Sequence, residues 1–166
     1  YYKPREVITH SPKSGEDSIQ KLLGRKDIFP IGRLDKDSEG LIILTNDGRI
    51  TDKLLNPKYD HEKEYVVQTK NRFDEKFLKK MSSGVRIEGY LTKPARVKRI
   101  SHTTFAIILS EGKKHQIRRM CAALDHQVAH LKRVRIMNII LHTLQSNQWR
   151  KIEGDELKKF LTSLGI

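Results

Sequence analysis

Apolar residues in this chain come in short runs, at 7–9, 41–44, 65–69, 95–100, 103–109, 128–136 and 139–141. Runs of this length, bounded by turn residues such as Asn46-Asp47-Gly48, predict β-strands. Helical periodicity is confined to 18–23, 50–55, 74–81, 114–124 and 155–164, with Asp74 placed to cap the third stretch. Strands and helices do not alternate strictly, and the 95–100 and 103–109 strands are too close in sequence for a crossover connection. The pattern predicts an α+β fold: a mixed, mainly antiparallel sheet with flanking helices. No repeat, low-complexity tract or Pro/Gly/Ser linker divides residues 1–166, so one domain is expected.

Within the 114–124 stretch, Ile117, Met120, Cys121 and Leu124 fall at i, i+3, i+4 and i+7 and form one apolar stripe. Cys121 therefore reads as a small core residue and not as a nucleophile. Lys114 and Arg118 stand four apart with like charge, an unfavourable pair that asks for an anion nearby.

Charge sharpens the picture. The chain has 166 residues with 33 Lys+Arg against 20 Asp+Glu, a formal charge of +13. Most of the excess lies in residues 91–135, where eleven basic residues face only Glu111 and Asp125. Such a segment repels itself unless a polyanion or a buried carboxylate answers it. A nucleic acid is the favoured partner, and a solvated basic face is the alternative. No apolar run approaches the ~18–20 residues of a membrane span, so a soluble protein with no membrane partner is expected. The single cysteine, Cys121, cannot form an internal disulfide or begin a zinc-finger spacing, which suits a reducing cytoplasm. The chain opens on Tyr1 with neither signal-peptide nor transit-peptide character, and upstream sequence is expected.

The densest chemistry lies between Pro30 and Gly48. Asp35, Asp37 and Glu39 before Gly40 imitate the first half of an EF-hand loop, but Asn46 stands where the closing bidentate Glu belongs, and Pro30 and Gly32 forbid the incoming helix. A phosphoaspartate hydrolase would need an apolar strand before Asp35 and a hydroxyl two residues after Asp37, where Arg33 and Glu39 stand. Gly112-Lys113 lacks the earlier glycine of a Walker loop, and His126 and His130 have no third ligand, so no metal is expected. What remains is Asp35, a carboxylate on a Gly-bounded loop beside Arg33 and Lys36, either a reactive group or a turn-capping Asp.

Gly32-Arg33-Leu34-Asp35, Ser38-x-Gly40-Leu41 and Thr45-Asn46-Asp47-Gly48 together resemble the catalytic motif of RsuA-type pseudouridine synthases. Further stretches agree in order: Lys3-Pro4, Lys63-Glu64-Tyr65, Thr92-Lys93-Pro94-Ala95, Glu111-Gly112-Lys113, Gln116-Ile117-Arg118-Arg119-Met120, Leu131-x-Arg133 and Trp149-Arg150. The resemblance covers essentially the whole chain. The 60–65 and 135–138 stretches are most similar to the RluF branch, which acts on large-subunit ribosomal RNA. Two positions depart from the family pattern: His115 stands where Arg is more usual, and Met137 replaces a common Gly.

The resemblance implies the pseudouridine synthase fold, an upstream S4-type RNA-binding domain and a monomer. It also implies isomerisation of a flipped-out uridine, without metal or cofactor, in 23S ribosomal RNA or a large-subunit assembly intermediate. Transfer RNA is left open as a substrate. By the same resemblance Asp35 is the nucleophile, attacking ribose C1′ or the base or assisting a glycal. Tyr65 stacks on the base and serves in proton transfer. Arg118 pairs with Asp35, while Leu34 and Ile117 contact the substrate, Ile117 as an apolar wall. Arg33, Lys63, Lys93, Arg96, Arg119, Arg133 and Arg135 are the candidates for holding RNA backbone, with Arg133 and Arg135 on one strand face by period-two spacing. The rival classes are a non-catalytic RNA-binding assembly module and, more remotely, a glycoside hydrolase, which normally needs two carboxylates.

Overall fold

The computed structural model describes residues 1–166. Its centre is a seven-stranded sheet built from β1 (Tyr2–Lys3), β3 (Glu39–Leu41), β10 (Val128–Ile136), β5 (Lys63–Thr69), β9 (Thr104–Leu109) and β8 (Arg96–Arg99), in that order, with β11 (Ile139–Ile140) also paired to β10. Only β3 and β10 run parallel, and the other pairs are antiparallel. Two small ribbons stand apart: β2 (Phe29–Pro30) with β4 (Leu44–Thr45), and β6 (Arg86–Ile87) with β7 (Tyr90–Leu91). The helices are α1 (Ile19–Leu23), α2 (Gly48–Leu55), α3 (Glu75–Ser83), α4 (Gln116–Ala122) and α5 (Gly154–Leu164), with a 3-10 turn at Pro57–Tyr59. Side-chain caps start several of them: Asp74 accepts from Phe77 N at 2.8 Å, Asp47 from Arg49 N at 3.0 Å, and Ser18 from Lys21 N at 3.2 Å.

The α+β architecture matches the sequence pattern, with local differences. Residues 7–9 form no strand: Ile8 makes an isolated bridge to Ser18, and the Val7 carbonyl accepts from Lys3 Nζ at 2.8 Å. The 41–44 run divides between β3 and β4, which belong to different sheets. Helix α4 starts at Gln116, so Lys114 lies in the preceding turn and does not share the helix with Arg118.

Two apolar cores flank the central strands. In one, Val67, Phe105, Ile107 and Leu131 of the sheet pack with Phe77 and Met81 of α3 and with Ile117, Met120 and Cys121 of α4. The other joins Leu41, Ile136 and Ile139 to Ile50 and Leu54 of α2 and Phe160 and Leu164 of α5. Cys121 is fully buried and its thiol is pushed up to about 12 by burial, as its core reading requires. His126 lies with its ring 4.5 Å from that of Phe77, whereas His130 Nδ1 lies 3.0 Å from Arg5, so the two histidines serve different neighbours.

Registration of β10 decides where its arginines go. Arg133 pairs with Tyr65 and with Gly40, which puts its side chain in the row of Tyr65. An irregularity between Arg133 and Arg135 then sets Arg135 opposite Glu64, Glu64 opposes Ile108, and Ile108 opposes Arg96. Arg133 and Arg135 therefore do not share a face, contrary to the period-two expectation: the bulge breaks the alternation on which that reading rested.

Candidate active site

At the seam between the two cores lies a cleft of about 570 Å³, lined by residues of both, among them Leu54, Leu109, Ile117, Leu131 and Ile136. That volume suits a nucleoside-sized guest. Asp35 opens into it from the loop after β2, and Arg33, Leu34, Lys63, Tyr65 and Arg133 line the same cleft. The seven-residue strand β5 delivers Lys63 and Tyr65 to one face because they are two apart.

The Asp35 loop is held by its backbone. Thr9 Oγ1 donates to Leu34 O at 2.8 Å and accepts from Leu34 N at 3.2 Å, clamping that residue's peptide groups from one side. Glu6 N donates to Lys36 O at 2.8 Å, and His10 Nε2 lies 3.0 Å from Gly32 O. Lys3, with no exposed surface, donates to Pro4 O at 2.7 Å, Val7 O at 2.8 Å and Lys36 O at 3.4 Å. Its ammonium is lowered to about 8 by burial, with the Asp35 carboxylate acting in the opposite sense. Arg133, buried, donates from Nε to Leu41 O at 2.8 Å and reaches Arg33 O at 3.5 Å. It braces the strand and loop backbone on either side of the cleft, and its Nη2 is left without a partner.

Arg118 does not contact the Asp35 carboxylate. Its guanidinium donates to Asp37 O at 3.1 Å and Ser38 Oγ at 3.4 Å, and approaches Val128 O at 3.5 Å. From α4 it reaches the turn two to three residues after Asp35 and holds that turn by its backbone, while its Nε is buried without a partner. The group that reaches Asp35 is His115, with Nε2 3.3 Å from Oδ1, an ion pair when the imidazole is protonated. His115 holds left-handed backbone angles, φ 53° and ψ 29°, at the N-terminus of α4, where it makes no side-chain cap. It is fixed by a buried frame: Glu111 accepts from Lys93 N at 2.9 Å, from Gln116 Nε2 at 2.6 Å and from the Tyr90 hydroxyl, and Gln116 Oε1 accepts from Lys113 N at 2.9 Å. Sequence reasoning noted His115 only as a departure from a pattern; that departure was the available signal.

Four of the basic candidates are engaged by carboxylates. Lys93 pairs with Asp60 at 2.6 Å, Arg119 with Glu88 at 2.7 Å, and Arg96 with Glu62. Arg135 pairs with Glu64 at 2.8 Å and Glu62 at 3.2 Å. None of these four lines the cleft. Lys63 does, and burial lowers its ammonium, with the charge of Arg133 acting in the same direction. Lys114, whose like-charge spacing asks for an anion, and Lys113, which spacing does not single out, line it too and have no carboxylate partner.

A half-open cleft holding one carboxylate, an aromatic ring, an apolar wall and basic lips defines a class of site suited to a nucleoside within a polyanion. Comparison gives the class its family. A model of the RNA pseudouridylate synthase family matches residues 1–123, so the chain belongs to that family. It is 42% identical over 156 residues to the dual-specificity RNA pseudouridine synthase RluF of Escherichia coli K12, covering 93% of this chain and 54% of that protein. It is 36% identical over 169 residues to ribosomal large subunit pseudouridine synthase B of Bacillus subtilis, covering 95% of this chain and 68% of the relative. The chain thus spans about half the length of its RluF relatives. A crystal structure of a pseudouridylate synthase superposes with a TM-score of 0.88 at 28% identity, covering 96% of this chain and 71% of the other. No helix is long and apolar enough to cross a membrane.

Proposed function

We propose that the chain isomerises uridine to pseudouridine in RNA, with large-subunit ribosomal RNA as its substrate. The observation that carries this is Asp35: its loop is pinned through the backbone by Lys3, Arg118 and Thr9, while its carboxylate faces only His115 Nε2, at 3.3 Å. A carboxylate so placed is fixed in position and still available as a nucleophile. In the reaction the N1–C1′ bond breaks, the base turns, and a C5–C1′ bond forms. C5 loses its proton and N1 ends protonated, so atoms balance without oxidation or reduction. Asp35 opens this sequence by attack on the ribose or the base. Tyr65 supplies the face on which the extruded ring stacks, and Ile117 and Leu34 exclude water around it.

Loss of the C5 proton gives a direct assay. With ribosomal RNA transcribed from 5-tritiated uridine, the protein is expected to release tritium to water. Asp35→Asn is expected to release none while binding the same RNA within a few-fold of wild type. Turnover by Asp35→Asn would remove Asp35 from its role, and absence of release by the wild type would favour a non-catalytic RNA-binding module.

A further inference from the structure

The Asn56–His61 segment beside the cleft carries a group that the catalytic set does not use. After α2, the 3-10 turn Pro57–Tyr59 presents Tyr59, 37% exposed, with the His61 ring stacked on it at a centroid distance of 5.7 Å and an interplanar angle of 22°. Lys58 Nζ lies 4.8 Å and Lys53 Nζ 5.6 Å from the Tyr59 ring centre. Neither lysine has a carboxylate partner, in contrast to Lys93, Arg96, Arg119 and Arg135. The turn is rigidly mounted: Asn56 Oδ1 accepts from Lys58 N at 3.2 Å, and His61 Nε2 lies 3.0 Å from Lys53 O. Its neighbours Asn56, Pro57 and His61 line the same cleft as Asp35.

We infer that Tyr59 and His61, with Lys53 and Lys58, form a stacking site for a nucleobase next to the extruded uridine. This rests on the proposed action on RNA. Extruding one base deprives its neighbours of a stacking partner, and a fixed aromatic face at the lip restores one. The two uncompensated ammonium groups, now held only by the ring, are free to move onto the phosphates that flank that base. An aromatic ring carrying unpaired cations matches a base with its phosphate better than it matches an apolar protein surface.

The test uses Tyr59→Ala, Tyr59→Phe and Tyr59→Trp, assayed for tritium release from ribosomal RNA and for binding to a uridine-containing single-stranded RNA. Tyr59→Ala is expected to raise KM and Kd about tenfold with kcat within about twofold, while Phe and Trp keep both near wild type. Lys53→Gln combined with Lys58→Gln is expected to flatten the slope of log K against log salt by about 1.4. That double variant decides the matter even where Tyr59→Ala does not fold. Unchanged KM and Kd in Tyr59→Ala, loss in Phe equal to that in Ala, or an unchanged salt slope would each overturn the stacking site. The Kd series stands apart from catalysis: a wild type that binds but releases no tritium refutes the proposed function, and the Tyr59 series still reads on the platform.

Discussion

At Asp35, cations grip the backbone on either side of the carboxylate and leave the acid group itself to His115. Lys3 is the least expected member of this arrangement, a lysine with no exposed surface whose donors end on three carbonyls, one of them Lys36 O beside Asp35. Burial lowers its ammonium from 10.5 to about 8, a change that has a measurable sign. Below about pH 8 the folded and unfolded chains both carry this proton, and the desolvation penalty is fully present. Between about 8 and 10.5 the unfolded chain binds a proton that the folded chain has lost, so stability owed to this residue rises with pH. Comparing denaturant unfolding of wild type and Lys3→Met should show the difference moving in favour of wild type by about 3 kcal/mol across that window. A difference that stays flat would mean that the buried ammonium is not perturbed.

Between elements, one contact governs how the site is closed. Gly40 of β3 opposes Arg133 of β10 in the only parallel pairing of the sheet, with φ at +106°. A Cβ there would fall on the Arg133 carbonyl oxygen and 2.9 Å from its nitrogen, backbone atoms that cannot swing away. Gly40→Ala should therefore lower unfolding free energy by about 3 kcal/mol or more. Gly48→Ala, at the start of α2 with nothing within 4 Å of its Cβ, should be neutral or slightly stabilising. Equal denaturation midpoints for the two variants would contradict this close approach. Elements of this kind mark the limit of what sequence can convey. The long members β5, β9 and β10 and the capped helix α3 follow from periodicity and an Asp at the right place, because their signals are local. The two-residue strands β1, β2, β6 and β7 are too short to carry a period, and the bulge after Arg133 has no local signature. The same division holds at the site. Asp35, Leu34, Tyr65 and Ile117 meet in one cleft as their motifs imply, whereas the partners of Arg118, Arg133 and Arg135 depend on register and could not be read from spacing.

Across the whole molecule, the excess of eleven basic residues over two acidic ones in 91–135 is partly answered by carboxylates from other segments. Asp60 meets Lys93, Glu62 meets Arg96, Glu64 meets Arg135, Glu75 meets Arg99, and Glu88 meets Arg119. Of the cations left without a carboxylate, Arg33, Lys63, Lys113 and Lys114 line the cleft and Lys53 and Lys58 stand over the nearby Tyr59 ring, whereas Lys98 and Lys132 of the same basic segment lie outside its lining. Counterion release depends on cations that meet phosphate, and a cation already neutralised by a carboxylate adds little to it. The salt dependence of RNA binding can therefore separate total charge from placed charge. Lys113→Gln with Lys114→Gln should flatten the slope of log K against log salt by about 1.4, at about 0.7 for each phosphate contact on a single strand. Lys93→Gln with Arg96→Gln removes the same two formal charges from the same segment and should change the slope by less than about 0.5. Equal effects of the two pairs would mean that RNA senses the net charge of the molecule and not the cations that ring Asp35.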